Sequence, residues 1–314
     1  MPAKSGPREA PDKDKKGKPK KNVSEHIETR LLVEHAFQMA RSLGIHKVLV
    51  YADVLSDRNL VARYRNDETV IWLTHTSEED LAVNRRRKDI RIQLPKTPLT
   101  RKQQVSIGLF LSVLHGFTAL DESVLCLAGV VGSRRLDNLL IANPRRDYPW
   151  LEKRPLKELR GLIATKEFVR LIQIALRFAN EGREGKPIGT ILVLGKTEEL
   201  LPYVSELILN PCEGHPRKHR NIHNPEFFET LRELSALDGA FIINTRGVVE
   251  YAGVYLNATM KKPLRSGLGA RHRAAAAITW QTSSVAIAVS QSSSNVTVFH
   301  AGEPIFELET SALS

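Results

Sequence analysis

The stretch SGLGARHRAAAA, residues 266–277, decides how the C-terminal half of this chain is interpreted. Its two glycines permit tight turns, and its four consecutive alanines have the highest helix propensity, so the sequence predicts a turn that leads into a helix. The basic residues Arg271, His272 and Arg273 then lie near the helix N-terminus, where each unpaired cation is unfavourable by about 0.3–1 kcal/mol. Cations at this partially positive end of the helix indicate that an anion binds there. Phosphate fits best, because arginine binds it in a bidentate manner; a solvated basic turn is the alternative.

A second motif lies upstream in LDGAFII, residues 237–243. Asp238 and Gly239 immediately precede a buried apolar strand. An acid there is ordinary turn chemistry, but a glycine beside it admits a ligand close to the backbone. Combined with a phosphate-binding turn, the carboxylate suits metal-assisted phosphoryl chemistry, in which it holds Mg²⁺ or Mn²⁺ while arginines neutralise charge.

Composition favours a cytoplasmic protein of two domains. A chain of 314 residues with 42% hydrophobic and 26% charged residues is long enough for two cores. Two cysteines, Cys126 and Cys212, make no disulfide framework. The longest apolar stretch, 105–117, is broken by polar residues and the N-terminus lacks a signal core, so no membrane association is expected.

Basic charge is concentrated in the first 22 residues. The whole chain carries a formal charge of +11, and residues 1–22 hold eight lysines and arginines against three acids, with proline and glycine and without aromatic residues. Such a segment cannot bury enough surface to fold, so we predict a disordered tail. It solubilises the chain or tethers it to nucleic acid or an acidic lipid. Because the sequence has no recognised nucleic-acid module, a nucleic-acid partner is not the favoured expectation.

Short apolar runs alternate with helical patterns, which predicts an α/β fold. In the first unit, 23–155, this alternation indicates a doubly wound sheet of parallel type with covered faces. A cluster of prolines, arginines and aromatic residues at 143–155 marks the boundary with a second α/β unit, 156–314. Predicted helices lie at 24–43, 77–87, 100–116, 165–181, 199–207 and 225–234. Predicted strands lie at 47–51, 69–74, 90–94, 124–128, 139–142, 190–194, 239–244, 248–254, 285–290 and 296–300.

The two motifs together resemble the signature of the diadenylate cyclase family. The D-G-A of residues 238–240 and the R-H-R of residues 271–273, in this order and at this spacing, look like that family's paired motifs, and the likeness extends over roughly 159–306. It implies an α/β domain with a mixed central sheet flanked by helices. It also implies that two ATP molecules are condensed into cyclic di-AMP with release of two pyrophosphates. The reaction would occur in a homo-oligomer containing a face-to-face dimer, because each ribose 3′-hydroxyl attacks the other nucleotide's α-phosphorus.

The resemblance also assigns roles to individual residues. Asp238 would position or help deprotonate the hydroxyl together with Mg²⁺ or Mn²⁺, and Arg271, His272 and Arg273 would handle the phosphates. His272, between two cations, is expected to resist protonation. Nucleotide contacts are implied for Gly239, Ala240, Leu256, Gly269, Ala270, Ser290 and Gln291, with Leu256 against the adenine.

Two departures from the family pattern raise an alternative function. Threonine commonly precedes R-H-R and glutamate commonly follows the serine, whereas this chain has Ala270 and Gln291. A neutral amide is a poorer ligand for a hard cation than a carboxylate. The alternative is therefore a catalytically weak or inactive protein that binds ATP or cyclic di-AMP.

Two other patterns are less specific. The N-terminal unit, notably 40–51, looks like the α/β domain similar to the C-terminal domain of pyruvate kinase that precedes archaeal-type diadenylate cyclases, which implies no activity by itself. Cys212, His215, His219 and His223 have donor types that suit zinc. The prolines in this stretch favour a plain surface loop instead.

Overall fold

The computed structural model describes residues 23–55, 60, 63, 69–76, 90–130, 132–147, 160–162, 165–184, 186, 188–261 and 269–309. The predicted basic tail, the predicted helix 77–87 and most of the predicted boundary between the units lie outside these residues. The predicted α/β class with two sheets is confirmed.

The first sheet has five strands in the order β3-β2-β1-β4-β5. The first four are parallel, as the alternating pattern predicted, and the edge strand β5 is antiparallel to β4. Helices α1 (Val23–Ser42), α2 (Arg101–Leu114) and α3 (Pro144–Asp147) accompany it. Its strands are β1 (Lys47–Tyr51), β2 (Val70–Thr74), β3 (Ile90–Gln93), β4 (Val124–Ala128) and β5 (Asn138–Ala142).

The second sheet has seven strands in the order β12-β11-β10-β6-β8-β9-β7. It is mixed, because β6 and β8 are parallel and the other neighbouring pairs are antiparallel. Its strands are β6 (Thr190–Gly195), β7 (Val204–Glu206), β8 (Ala240–Asn244), β9 (Val249–Leu256), β10 (Val285–Val289), β11 (Val296–His300) and β12 (Glu303–Leu308).

Helices cover both faces of this sheet. One face packs against α4 (Lys166–Asn180) and α6 (Phe227–Leu234), and the short helix α5 (Thr197–Leu200) follows β6. The other face packs against α7 (Ala270–Gln281), the helix that contains the basic triplet. Ala275 and Ala276 are fully buried there. The alanine run therefore serves packing as well as helix propensity, since its small side chains let α7 lie close to the strands.

One hydrophobic core runs through both sheets. Phe110 on α2 stacks on Phe306 of β12 with ring centroids 4.7 Å apart. Beside them, the side-chain amide of Gln103 donates to the carbonyl of Glu309 at 2.9 Å. Helix α2 of the first unit thus packs against β12, the edge strand of the second sheet.

One predicted helix is wrong and two strands were not predicted. The segment 199–207 is not one helix: α5 ends at Leu200, a 3₁₀ turn spans Leu201–Tyr203, and β7 follows. Pro202 explains the break, because proline inside a helix costs about 3 kcal/mol. Strand β7 forms by pairing with the outer edge of β9, and β12 by pairing with β11, which are contacts that local patterning does not encode. Among the described residues, no helix is long and apolar enough to cross a membrane.

We predict that Gly239→Ala destabilises the second sheet. Gly239 has φ +135°, and a Cβ atom there would lie 2.8 Å from the carbonyl carbon of Gly253 on β9. Backbone strain and collision together are expected to cost about 3 kcal/mol. Gly214→Ala is the control, because its φ is +74° but its Cβ position is open; strain alone should cost ~1 kcal/mol. Urea unfolding followed by circular dichroism compares them, and equal shifts would contradict the packing argument.

Candidate active site

The amino ends of the parallel strands β6 and β8 lie side by side at one edge of the second sheet, since Ile191 pairs with Ala240. Strand β10 runs antiparallel to β6, with Val289 opposite Thr190, so the residues that follow β10 reach the same edge. The segments that meet there are 188–190, 238–240 and 289–291.

Asp238 and Arg271 meet at this edge. The Arg271 guanidinium donates from Nη2 to Oδ1 of Asp238 at 2.7 Å. The Asp238 side chain is 88% exposed and that of Arg271 is 33% exposed. The structure thus brings together the acid of one motif and the first cation of the other, with a carboxylate open to solvent.

Gly189 belongs to this site, and the sequence interpretation missed it. A Cβ atom at Gly189 would lie 2.6 Å from Nη1 of Arg271 and 2.9 Å from Cβ of Gln291. The absence of a side chain leaves the space in which the guanidinium lies over the start of β6. The signal was present in the sequence, because Gly189 precedes a buried strand just as Gly239 does.

His272 points away from Asp238. Its ring makes an edge contact with Phe299 on β11, with centroids 5.8 Å apart. Burial lowers the pKa of His272 below its ordinary value, while the carboxylate of Glu307 opposes this shift. The expected resistance to protonation is therefore present, but burial is its leading cause and not the neighbouring arginines.

The other residues at the start of α7 are exposed. Gly269 is the N-cap, so this position supplies no side-chain acceptor to the first turn. Ala270 follows it, and Arg273 donates its backbone N–H to the carbonyl of Gly269 at 3.1 Å. The side chains of Arg271 and His272 leave the helix on different sides, so only one of the two reaches Asp238.

Three residues predicted to contact nucleotide have structural roles in this fold. Position 239 requires glycine because a Cβ atom there would collide with the backbone of β9, as described above. Ala240 and Leu256 are buried in the cluster beneath α7. Their contacts with nucleotide and adenine stay predictions.

Ser290 begins the turn after β10. Its Oγ accepts from the backbone N–H of Ser293 at 3.3 Å, and its own N–H donates to the carbonyl of Asn295 at 2.9 Å. These bonds fix the turn, and the following residue, Gln291, contributes the Cβ that lies close to Gly189.

The histidine-rich loop does not form a metal site. In the described part of the chain, no three His, Cys, Asp or Glu side chains cluster as metal ligands. Cys212 is buried, and burial raises the pKa of its thiol to about 11. Nε2 of His223 instead lies 3.6 Å from Oε1 of Glu167. The geometry of this segment therefore favours a plain surface loop over a zinc site.

A cavity of about 620 Å³ lies at the opposite, carboxyl ends of β6 and β8. It is lined by the cations Lys196, Arg217, Arg220 and Arg246 and by the acids Glu198, Glu206, Glu213 and Glu250. Because these charges balance, the cavity is less suited to a polyphosphate than the edge where Arg271 lies.

The second unit is thus an α/β domain with a mixed sheet, in which an arginine at a helix start faces an exposed carboxylate. Residues 177–304 match the family described as "DisA bacterial checkpoint controller nucleotide-binding", abbreviated DAC. Two relatives are each named diadenylate cyclase. The protein from Methanocaldococcus jannaschii is 36% identical over 57% of this chain and 57% of its own length, and that from Haloferax volcanii is 32% identical over 45% and 52%.

Residues 177–304 are therefore similar to the DAC domain, and the two relatives found are diadenylate cyclases. The matches span only 57% and 52% of the lengths of these curated relatives. A crystal structure of DacA from Staphylococcus aureus is similar at 22% identity and a TM-score of 0.35, covering 46% of this chain and 87% of that one, and adds nothing to the assignment. The resemblance of the N-terminal unit to the pyruvate kinase domain stays a prediction.

We predict that His272 titrates below the ordinary histidine pKa of ~6.5. The unfolded chain then binds a proton at a pH where the folded chain does not, so the contribution of neutral His272 to stability is present above ~pH 6.5 and is lost as the pH falls. NMR of the imidazole protons, with His272→Gln for assignment, measures the midpoint. A midpoint at or above 6.5 would contradict the burial argument.

Proposed function

We propose that this chain is a diadenylate cyclase that condenses two ATP molecules into cyclic di-AMP and releases two pyrophosphates. The observation that carries the proposal is the 2.7 Å contact between Asp238 and Arg271, which joins two motifs 33 residues apart. The family match and the two relatives named diadenylate cyclase support the same reaction.

The reaction requires two identical displacements. In each, the 3′-hydroxyl oxygen of one nucleotide forms a bond to the α-phosphorus of the other, the bond to pyrophosphate breaks, and the hydroxyl proton leaves to a base or to water. Asp238 would orient the hydroxyl and receive or relay that proton. Arg271 would neutralise charge on the α-phosphate and the leaving pyrophosphate, which stabilises the transition state.

The Asp238–Arg271 ion pair would open when ATP binds. Phosphate oxygens compete for the guanidinium and leave the carboxylate available to the hydroxyl or to a cation. An exposed ion pair contributes only about 0–1 kcal/mol, so opening it is not costly. Arg273, also exposed at the start of α7, would assist on the phosphate side.

Mg²⁺ or Mn²⁺ fits this site as part of a metal–nucleotide complex. Within the described residues, Asp238 is the carboxylate that pairs with Arg271, and no cage of three or more ligands forms. Mg²⁺ commonly binds through one or two carboxylates plus substrate phosphates, and would supply charge neutralisation there. Gln291 offers an amide where a carboxylate would hold the ion more tightly.

Each subunit would hold one ATP, and two subunits would face each other across a two-fold axis. The attack by each ribose on the other nucleotide makes the two half-reactions equivalent, which an isologous interface provides directly. A monomer would then bind ATP without turnover.

The deciding experiment incubates the purified full chain with ATP and either Mg²⁺ or Mn²⁺ and separates the nucleotides by chromatography. Cyclic di-AMP and pyrophosphate in a 1:2 ratio are expected from the stoichiometry of the proposed reaction. ATP binding without product under both metals, at high protein concentration, would favour the alternative of a binding protein, for which Gln291 is the motivating observation.

We predict that Asp238→Asn abolishes product formation but leaves ATP binding measurable. The amide preserves shape and a hydrogen bond to Arg271 yet cannot receive a proton and binds a hard cation weakly. Isothermal calorimetry measures binding and chromatography measures product. Glu199→Gln is the control, because Glu199 forms an exposed 2.8 Å ion pair with Lys196 at the other end of β6. Unchanged turnover in Asp238→Asn would remove this residue from the mechanism.

We predict that Gly189→Ala lowers kcat roughly tenfold to a hundredfold by displacing the Arg271 guanidinium. The new methyl group would occupy the position 2.6 Å from Nη1, and the flexible arginine is the group that can move. Gly161→Ala, whose Cβ position is open, is the matched control. Because the same methyl group would also lie 2.9 Å from Cβ of Gln291, Gly189→Ala is expected to lose some stability as well, so kcat is compared well below the thermal midpoints of both variants. A wild-type kcat in Gly189→Ala would contradict the positioning role of Gly189.

A further inference from the structure

The cavity of about 620 Å³ lies at the other end of the sheet from the candidate active site. Two of its lining residues are Lys196, which directly follows β6, and Thr245, which directly follows β8. Crevices beyond the carboxyl ends of parallel strands commonly bind ligands, and ligand cavities commonly have volumes of about 300–1,000 Å³. The position and the size of this cavity therefore suit a small molecule.

One wall of the cavity is a largely buried ion pair between Arg220 and Glu250, whose side chains are 14% and 15% exposed. Nη1 of Arg220 donates to Oε2 of Glu250, and Nδ2 of Asn244 donates to Oε1 at 2.7 Å. Nε of Arg220 donates to the carbonyl of His215 at 3.0 Å. Because both carboxylate oxygens of Glu250 already accept hydrogen bonds, this wall is polar and internally satisfied.

The loop that follows β7 forms another wall and is fixed to β9. Nδ2 of Asn210 donates to the carbonyl of Glu250 at 2.9 Å, and Oδ1 of Asn210 accepts from the backbone N–H of Cys212 at 3.1 Å. Burial raises the pKa of the Cys212 thiol to about 11, so this cysteine adds no negative charge to the lining at neutral pH. A preformed cavity loses little conformational entropy when it binds a ligand.

Five charged side chains that line the cavity form no ion pair within the described part of the chain. All five are exposed; they are the cations Arg217 and Arg246 and the acids Glu198, Glu206 and Glu213. The other lining charges have partners, since Lys196 pairs with Glu199 at 2.8 Å and Arg220 pairs with Glu250. Two cations and three acids leave the unpaired lining with a net charge of −1.

We propose that this cavity binds a free amino acid with a basic side chain, of the kind represented by L-lysine. At neutral pH such a ligand carries one carboxylate and two cationic groups. The carboxylate would pair with the guanidinium groups of Arg217 and Arg246, and the cationic groups with the unpaired glutamates. The net charge of +1 on the ligand then matches the net charge of the lining.

Other ligand classes fit the lining less well. A polyphosphate would meet three unpaired acids, and a polyamine without a carboxylate would meet two unpaired arginines, so each is opposed by like charges. A bound metal ion is not favoured, because no three His, Cys, Asp or Glu side chains cluster within the described residues. An apolar ligand would leave these charges without partners.

The test titrates the purified full chain with L-lysine in a calorimeter. We expect saturable binding of one L-lysine per chain. Putrescine lacks the carboxylate and L-glutamate replaces the second cation with an anion, so each is expected to bind at least about tenfold more weakly. The double variant Arg217→Gln, Arg246→Gln should also bind L-lysine at least about tenfold more weakly, because it removes both partners of the carboxylate.

The control is the double variant Arg41→Gln, Arg134→Gln. It removes the same charge from two exposed arginines that do not line the cavity, and it should bind L-lysine like the wild type. Circular dichroism checks that both double variants fold. If the cavity variant unfolds, Arg246→Gln alone carries the prediction, since the backbone N–H of Arg246 donates to Asn244 and its turn does not depend on the side chain.

The outcomes decide between this ligand class and the others. No binding of L-lysine at millimolar concentration would overturn the proposal, as would putrescine or L-glutamate binding as tightly as L-lysine. Unchanged L-lysine binding in the cavity variant would also overturn it. Measuring cyclic di-AMP on the same wild-type samples keeps the two proposals apart: a chain that binds L-lysine without making cyclic di-AMP removes only the cyclase, and an active chain that does not bind L-lysine removes only this site.

Discussion

The candidate site depends on the parallel pairing of β6 with β8. Because the two strands point in the same direction, the segments that enter them end at one edge of the sheet, with Ile191 opposite Ala240. A shift of one residue in this register would turn every side chain of one strand to the other face. The pairing therefore fixes both the core beneath α7 and the distance between Gly189 and Asp238. The ion pair with Arg271 follows from that register and from the close packing of the alanine-rich helix.

Much of the fold was predictable because its signals are local. Strands β1, β4 and β11 were predicted with the bounds that the structure has, since short apolar runs bounded by polar or turn-forming residues favour strands. The errors lie where long-range contacts decide. Val204–Glu206 follows helix-like residues and becomes a strand only by pairing with β9, and β12 exists because β11 offers it an edge.

The site was predictable in part. Residue chemistry predicted that Asp238 acts together with the basic turn, and the structure brings Asp238 and Arg271 within 2.7 Å of each other. Sequence spacing places Arg271 and His272 next to each other, but it does not show which way each side chain leaves the helix; Phe299 holds His272 on another side. Gly189 escaped notice because its importance comes from the guanidinium packed against it, and not from a turn or a positive φ.

The aromatic stack between Phe110 and Phe306 has a consequence for how the chain can be divided. Phe306 belongs to the matched family's sheet by pairing, yet its ring rests on a helix of the other unit. Cutting the chain between the two units would leave a flat aromatic surface open to water. Such a fragment would tend to aggregate, so the smallest fragment that keeps this aromatic contact buried contains both sheets.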